Sequence, residues 1–413
     1  MRAKFYPLML GAALLAAGIG AAHAKDKDKD AAPPEKQISK ELTPSLQAAQ
    51  KALEEKNYQL VLDSAAAAEA AKADRSPYED FFINEMRLQA YVGLNDQPHI
   101  VEALEKELAS GQLPEADTAK REKTLVGLYY QNKDYTKFLA KSDVMIQNGT
   151  LPQDWYALRC QASWLMKDWA ATDTNCKQAI AVEEKTGKPA QEQVYQMQLD
   201  GAAQRKDFPA YADGLAEVLK YYPKQDYWSD YLLFMQKKPG FSDRLALDIY
   251  RLMARVNAIK NGNEYLDYAD LANRATLPGE AKAVLEKGQS QLGGNPAAKQ
   301  LLAEVTKAAA DDQKTIDKSV AEVSKAPTGL PLLKLADAYS SYGQYAKALD
   351  LTQKAIDKGG LKNPNDAKLH LAVAYVNLGQ KDQAEKLFNE LTSAPEGLGD
   401  LAKGWLIYLH QGA

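Results

Sequence analysis

Two cysteines are the residues of this sequence whose spacing most directly suggests a reaction between them. Cys160 lies eight residues before Asp168 and Cys176 lies eight residues after it, on either side of the polar break Lys167-Asp168-Trp169. If that break joins two antiparallel helices, the thiols face each other, and a disulfide would close a loop of about 15 residues. The alternative is a pair of buried reduced thiols that fill space as small apolar side chains. No Cys-x-x-Cys motif is present, which argues against a catalytic redox pair.

The histidines are too scattered to predict a catalytic or metal site. Apart from His23 near the start, the sequence contains only His99, His370 and His410, and no His-x-x-x-His or His-Glu-x-x-His motif. There is also no Gly-x-Ser-x-Gly nucleophile motif and no glycine-rich phosphate motif. We therefore predict no catalytic residues, no bound metal and no cofactor. The three remaining histidines are expected on the surface or at its rim.

The first residues have the pattern of a secretory signal. Arg2 and Lys4 precede an apolar run over 5–22, and Ala22-His23-Ala24 supplies the small residues that a signal peptidase requires. We expect a signal peptide over 1–24, cleaved after Ala24; the alternative is an uncleaved membrane anchor. No cysteine follows the run to accept a lipid. In a Gram-negative cell the mature chain would therefore be periplasmic.

Charge and composition limit the classes of partner. The chain of 413 residues has a net charge of −4, which becomes −6 once the two cations of the signal are removed. Such mild acidity argues against a nucleic-acid partner. No later apolar run is long enough to span a bilayer, so no transmembrane segment is expected after signal removal. Residues 25–41 begin with alternating Lys and Asp and are predicted to be a disordered leader.

From Leu42 onward the pattern is helix, short polar break and helix, repeated. Apolar and small residues recur every three or four positions, and good helix formers dominate. The spacings from Tyr135 to Trp169 and from Trp169 to Phe208 are 34 and 39 residues. Such self-similarity is typical of stacked repeats. The breaks share one residue pattern: Lys56-Asn57-Tyr58, Lys133-Asp134-Tyr135, Lys167-Asp168-Trp169, Lys206-Asp207-Phe208, Gly343-Gln344-Tyr345 and Gly379-Gln380-Lys381.

The clearest copies of the unit resemble the tetratricopeptide repeat. The residues that carry the resemblance are Leu332, Leu335, Ala336, Tyr339, Gly343, Tyr345, Ala348 and Ala355, and in the next copy Leu371, Ala372, Tyr375, Gly379, Ala384, Phe388 and Pro395. The resemblance implies an all-α superhelical solenoid of antiparallel helix hairpins. We expect about nine hairpins and a C-terminal capping helix over 398–410, with Trp405, Leu406 and Leu409 inward.

Two hairpins depart from the family pattern, and one segment lacks aromatic residues. One turn is Asn95-Asp96-Gln97-Pro98, and the hairpin turning at Pro239-Gly240-Phe241 has Arg244 and Asp248 where small or apolar residues are usual. The Ala- and Lys-rich segment before the clearest copies is interpreted as a degenerate hairpin that turns at Asp311-Asp312. The predicted organisation is a repeat array over 42–294, a degenerate helical linker over 295–326, and a repeat pair with its capping helix over 327–413.

The resemblance also implies where a partner would bind, because the first helix of each hairpin lines the concave groove in this family. The residues that it places there are Lys120, Lys123, Tyr130, Gln131, Gln161, Trp164, Gln196 and Asp200. Such a polar strip with two aromatic rings suits an extended segment of another envelope protein, which favours a non-catalytic scaffold. The alternative is a carbohydrate-facing module in polysaccharide export or envelope assembly. That alternative requires the rings of Tyr130 and Trp164 to be exposed.

Overall fold

The computed structural model describes residues 37–411, and every regular element in this range is helical. The predicted signal peptide and residues 25–36 of the predicted leader lie outside the described residues. The end of the leader is described: the backbone N–H of Ser39 donates to Glu79 Oε1 over 2.9 Å, and Leu42 is fully buried. The chain therefore packs onto its first two hairpins a few residues before the first helix begins.

Within the described residues the chain divides into two compact units, 37–128 and 129–411. The first unit contains α1 (Thr43–Glu54), α2 (Tyr58–Ala71), α3 (Pro77–Leu94), α4 (Gln97–Ser110) and most of α5 (Glu115–Gln131). The second contains the end of α5, then α6 (Tyr135–Gln147), α7 (Trp155–Leu165), α8 (Trp169–Glu184), α9 (Glu192–Gln204), α10 (Phe208–Tyr221), α11 (Gln225–Lys237), a 3₁₀ turn (Asp243–Leu245), α12 (Ala246–Arg255), α13 (Gly262–Arg274), α14 (Pro278–Lys287), α15 (Gln289–Leu292), α16 (Pro296–Val323), α17 (Leu330–Ser341), α18 (Tyr345–Lys358), α19 (Pro364–Asn377), α20 (Lys381–Leu391) and α21 (Leu398–His410).

Consecutive helices pair as antiparallel hairpins, which confirms the predicted fold class. Eight such pairs lie within single units in residues 37–411: α1/α2, α3/α4, α7/α8, α9/α10, α11/α12, α13/α14, α17/α18 and α19/α20. Alanine at the crossing points allows close packing: Ala49 and Ala52 of α1 and Ala65 and Ala68 of α2 are all buried. Hairpins bury their remaining apolar faces mainly against the next one along the chain, as the contacts of α2 with α3, α8 with α9 and α18 with α19 show.

The shared residue pattern of the breaks has one structural cause. At six turns the first residue of the break takes the left-handed conformation that ends a helix. The second residue is the N-cap of the next helix, and Asp168 shows its role: its backbone N–H donates to Ser163 O over 3.1 Å, and its carboxylate accepts from Ala171 N–H over 3.0 Å. The left-handed residues are Lys56, Lys133, Lys167, Lys206, Gly343 and Gly379.

The turn at Asn95 departs from the pattern in its residues but not in its geometry. Asn95 takes the left-handed position with φ of 57°, and the backbone N–H of Asp96 donates to Tyr91 O over 2.9 Å. The Asp96 side chain then caps α4 by accepting from His99 N–H. Asparagine tolerates the left-handed region, so it substitutes for the usual lysine or glycine.

The predicted disulfide is present. Cys160 of α7 and Cys176 of α8 are joined by a 2.04 Å S–S bond, with their Cα atoms 4.6 Å apart. Both side chains are fully buried. The alternative of two reduced thiols is therefore wrong, and the hairpin packs closely enough at this crossing to be bridged.

The predicted hairpin turn at Asp311-Asp312 is wrong, because α16 is one continuous helix of 28 residues. No glycine or proline interrupts its Ala- and Lys-rich interior, so nothing breaks the backbone ladder there. Asp311 is exposed, and its Oδ1 lies 2.9 Å from Lys314 Nζ. Asp312 is half-buried, and its Oδ2 accepts from Tyr342 Oη at the end of α17 over 2.7 Å.

The C-terminal helix does more than cap the last hairpin. The ring of Trp405 stacks on Phe388 of α20 with centroids 5.7 Å apart, and Trp405 and Leu409 are buried as predicted, whereas Leu406 is only half-buried. In addition, α21 packs against α10, α11 and α12. Gly404 permits this approach, since a Cβ there would lie 3.0 Å from Leu252 Cδ2. The second unit thus closes on itself.

The hairpin that departs from the family pattern provides much of this closure. Arg244, which precedes α12, pairs with Asp366 of α19 and, over 2.9 Å, with Glu396. Nearby, Lys238 Nζ lies 2.6 Å from Asp400 Oδ2 of α21. Ion pairs therefore join residues more than 120 positions apart in the chain. Stacking of neighbouring hairpins alone would not bring such residues together.

Candidate functional site

The predicted groove residues of the second unit form a strip along one face: Tyr130, Gln131, Gln161, Trp164, Gln196 and Asp200. Lys120 and Lys123 are exposed on α5 in the first unit. The strip residues lie on the first helices of successive hairpins, α5, α7 and α9. Four of the six are joined in hydrogen-bonded pairs, Tyr130 with Gln161 and Trp164 with Asp200.

Hydrogen bonds join each first helix to the next along the strip. Tyr130 Oη donates to Gln161 Oε1 over 2.5 Å, which links α5 to α7. Trp164 Nε1 donates to Asp200 Oδ2 over 2.6 Å, which links α7 to α9. Both rings are half-buried rather than exposed, and burial raises the pKa of Tyr130 to about 12. The exposed stacking rings that a carbohydrate-facing module requires are therefore not present on this strip.

The same pattern continues to α11 through residues that the sequence analysis missed. Gln196 Nε2 donates to Tyr227 Oη over 3.0 Å, and Tyr227 Oη donates to Glu192 Oε1 over 2.7 Å. Lys224 Nζ lies 2.7 Å from Glu192 Oε2. The available signal was the periodicity itself: Tyr227 follows Gln196 by 31 residues, as Gln161 follows Tyr130.

A separate cavity lies within the second unit, where the chain closes on itself. Its volume is about 890 Å³, within the range of about 300–1,000 Å³ that is usual for small-molecule sites. Its walls are built by α12, α13, α14, α16, α17, α19 and α21, together with the turn between α17 and α18. The sequence analysis did not predict it, because its walls come from hairpins far apart in the chain.

Paired charges line the inner wall of this cavity. Arg251 of α12 makes a two-pronged contact with Glu280 of α14, with N–O distances of 2.9 and 2.8 Å, and also lies 2.8 Å from Asp248 Oδ1. Tyr268 Oη donates to Glu280 Oε1 over 2.8 Å. The planar guanidinium matches both carboxylates, which is why arginine suits this position.

His370 extends the network to the C-terminal repeats. Its Nε2 lies 3.4 Å from Asp248 Oδ1, and its Nδ1 lies 2.8 Å from Asp337 Oδ1 of α17, although the ring N–H is not well aligned with that oxygen. The side chain keeps 19% of its surface accessible because it lines the cavity. The expectation of a surface or rim position is wrong for His370, whereas His99 and His410 are exposed.

The network determines the charge of its members. Burial by itself would lower the pKa of His370, but Asp337 and Asp248 raise it well above the ordinary value of 6.5. Burial opposes ionisation of Asp248, yet His370 and Arg251 hold its pKa well below the usual range. At neutral pH the inner wall therefore contains Asp248 as a carboxylate and His370 as an imidazolium.

We expect the stability of the second unit to fall as the pH rises above neutrality. The folded-state pKa of His370 is above its unfolded value, so its stabilising effect is complete below pH 6.5 and is lost as the pH rises through the folded pKa. Within that window the free energy of unfolding should fall by about 1.4 kcal/mol per pH unit. Urea unfolding followed by tryptophan fluorescence at pH 6, 7, 8 and 9 measures this.

The control for this pH dependence is His370→Gln, which cannot take up the proton. Asp337, Asp248, Arg251 and Asp366 remain in place around it, so a flatter profile isolates the imidazole. Profiles of equal slope in the two proteins would show that His370 does not carry the effect. All five tryptophans lie beyond residue 128, so the fluorescence reports on the second unit.

Within residues 37–411, no three His, Cys, Asp or Glu side chains come together as a possible metal site. Among the same residues, no helix combines the length and apolar character needed to cross a bilayer.

The hairpins, the strip and the cavity together define a helical-repeat protein. No family model and no curated protein sequence matches the chain. Similar solved structures include a tetratricopeptide repeat protein from Parabacteroides merdae (10% identity, 65% of this chain, 100% of that chain, TM-score 0.27), yeast Tom70 (12%, 89%, 95%, 0.21) and the TPR domain of P58(IPK) (11%, 89%, 98%, 0.24). TM-scores this low mean that the chains do not superpose along their lengths. These structures therefore say nothing about what this chain binds.

Proposed function

We propose that this protein is a non-catalytic scaffold of the bacterial periplasm that binds an extended segment of another envelope protein along the strip. The location rests on the basic start, apolar run and Ala-x-Ala ending of residues 1–24. The binding role rests on the geometry of the strip. A scaffold is favoured over an enzyme because Asp248, Arg251, Glu280, Asp337 and His370, the charged groups of the cavity's inner wall, are paired with one another.

The observation that carries the proposal is the ladder of hydrogen bonds between successive first helices. The bonds from Tyr130 to Gln161 and from Trp164 to Asp200 fix these side chains before any partner arrives. A surface ordered in advance loses less conformational entropy on binding, which improves affinity without adding contacts. Gln131 and Gln196 stay exposed along the same face. The amide of Gln131 and the amide oxygen of Gln196 can pair with the backbone of an extended segment.

The test is site-specific crosslinking in the periplasm with the full chain. A photo-crosslinking amino acid at Gln131 on the strip is compared with the same residue at Gln178, an exposed glutamine of α8. We expect one protein adduct from position 131 that position 178 does not form. In that background, Trp164→Ala should reduce the adduct about ten-fold or more, because buried aromatic residues dominate binding surfaces.

A second substitution separates loss of binding from loss of structure. Trp164→Phe keeps a ring against α9 but removes the N–H that Asp200 accepts, so it should reduce the adduct less than alanine does. Unfolding of both variants, followed by circular dichroism, shows whether the second unit remains folded. The same adduct from both positions, or none from position 131, would contradict the proposal.

A further inference from the structure

Only some of the charged residues that line the cavity are available to a ligand, because the others are paired with one another. Asp248, Glu280 and Asp337 are occupied by Arg251 and His370 in the inner network. These five groups, three carboxylates and two cations, keep one net negative charge among them, and they hold the wall together. What remains for a ligand is set by the other charged residues that line the cavity.

Those remaining residues are predominantly cationic. Lys282 and Lys287 of α14 and Arg255 of α12 line the cavity, against a single further carboxylate, Glu286. Lys282 lies 3.8 Å from Glu286, a long and exposed pair. Within residues 37–411, Arg255 and Lys287 have no carboxylate at ion-pair distance. Like charges on neighbouring walls of a cleft reinforce one another and attract ions of the opposite sign.

Other groups are positioned to complete an anion site. Arg255 donates to Asn377 Oδ1 of α19 and lies over the ring of Tyr408, which orders its long side chain. Trp405 lines the cavity, and its buried Nε1–H has no acceptor among the described residues. Ser340 contributes a hydroxyl to the same lining. An oxygen-rich anion would supply the acceptors that these donors need.

We propose that the cavity binds a small organic polyanion, a molecule with two or more carboxylate or phosphate groups. Arg255 of α12 and Lys282 and Lys287 of α14 hold its charges from two walls, and the volume of about 890 Å³ admits a ligand of drug size. The site is separate from the strip: none of its lining residues belongs to the strip. Its occupancy can therefore be tested independently of the scaffold function.

The experiment is isothermal titration calorimetry on the full chain with three probes. Citrate tests carboxylate recognition, pyrophosphate tests phosphate recognition, and sucrose is an uncharged, oxygen-rich probe. We expect saturable binding of citrate, pyrophosphate or both, and none of sucrose. The double variant Arg255→Gln/Lys287→Gln should weaken that binding about ten-fold or more, since each lost contact is charge-assisted.

A matched variant removes the same charge elsewhere. Arg274→Gln/Lys386→Gln replaces one arginine and one lysine that are exposed outside the cavity, and it should leave binding unchanged. Citrate binding alone or pyrophosphate binding alone identifies the group that is recognised. The proposal is overturned if neither anion binds, if sucrose binds equally well, or if both double variants weaken binding to the same extent.

Discussion

Replacing Arg251 with methionine should lower the free energy of unfolding of the second unit by about 3–5 kcal/mol. The substitution leaves Asp248 and Glu280 on the inner wall without the guanidinium that contacts both. A buried charge that loses its partner retains the full cost of its desolvation. His370 still faces Asp248, but Glu280 retains only the hydroxyl of Tyr268. The larger part of the loss should therefore arise at Glu280.

A surface pair at the same closure is the comparison. Lys238 and Asp400 also join distant parts of the second unit, but the lysine side chain is 58% exposed. Water screens such a pair, so Lys238→Met should cost about 1 kcal/mol or less. Urea unfolding followed by tryptophan fluorescence gives both values under identical conditions. Equal losses in the two variants would mean that the inner network contributes no more than a surface ion pair.

Replacing Trp405 with alanine should also cost about 3–5 kcal/mol. The indole is 1% exposed and stacks on Phe388 with an angle of 3° between the rings. It belongs to the same continuous core as Leu252 and Tyr231, which pack against Gly404 beside it. Alanine would leave a void at the contact between α20 and α21, and closely packed helices on both sides limit how far it can collapse.

Lys403→Ala is the control on the same helix. Its side chain is exposed and lies 3.9 Å from Asp400, so its removal should change stability by less than about 0.5 kcal/mol. The four other tryptophans still report on unfolding in both variants. A loss for Trp405→Ala no larger than that for Lys403→Ala would indicate that α21 is not required to stabilise the closed second unit.

The local elements of this protein follow from short stretches of sequence. Helix periodicity predicts the hairpins, and breaks such as Lys167-Asp168-Trp169 predict the turns, because left-handed C-terminal and N-cap positions each involve only neighbouring residues. The facing cysteines, Cys160 and Cys176, were predicted for the same reason: a tight hairpin relates positions equidistant from its turn. The hydrogen-bonded pairs of the strip are harder to predict from the sequence, because they depend on how one hairpin is rotated against the next.

Where prediction failed, the deciding contacts were distant in sequence. The aspartates of Asp311-Asp312 suggested a turn, but uninterrupted helix formers and the hydroxyl of Tyr342 keep α16 continuous. His370 was predicted at the surface because no nearby residue indicates a partner; Asp248 lies 122 positions earlier. Arg244 and Asp248 had been noticed as departures from the repeat pattern, and their pairing with the C-terminal hairpins explains them.

The amino-acid sequence by itself therefore determined the helices, most of their turns, the facing positions of the two cysteines and the repeat class. Each of these depends on residues within about one hairpin of one another, where the chain has few alternative arrangements. Only the tertiary structure decided that the second unit closes on itself, that α21 packs against α10–α12, and that a cavity with an inner charged network results. Those features depend on small rotations accumulated from one hairpin to the next, which bring particular charged side chains together only after the stack has formed.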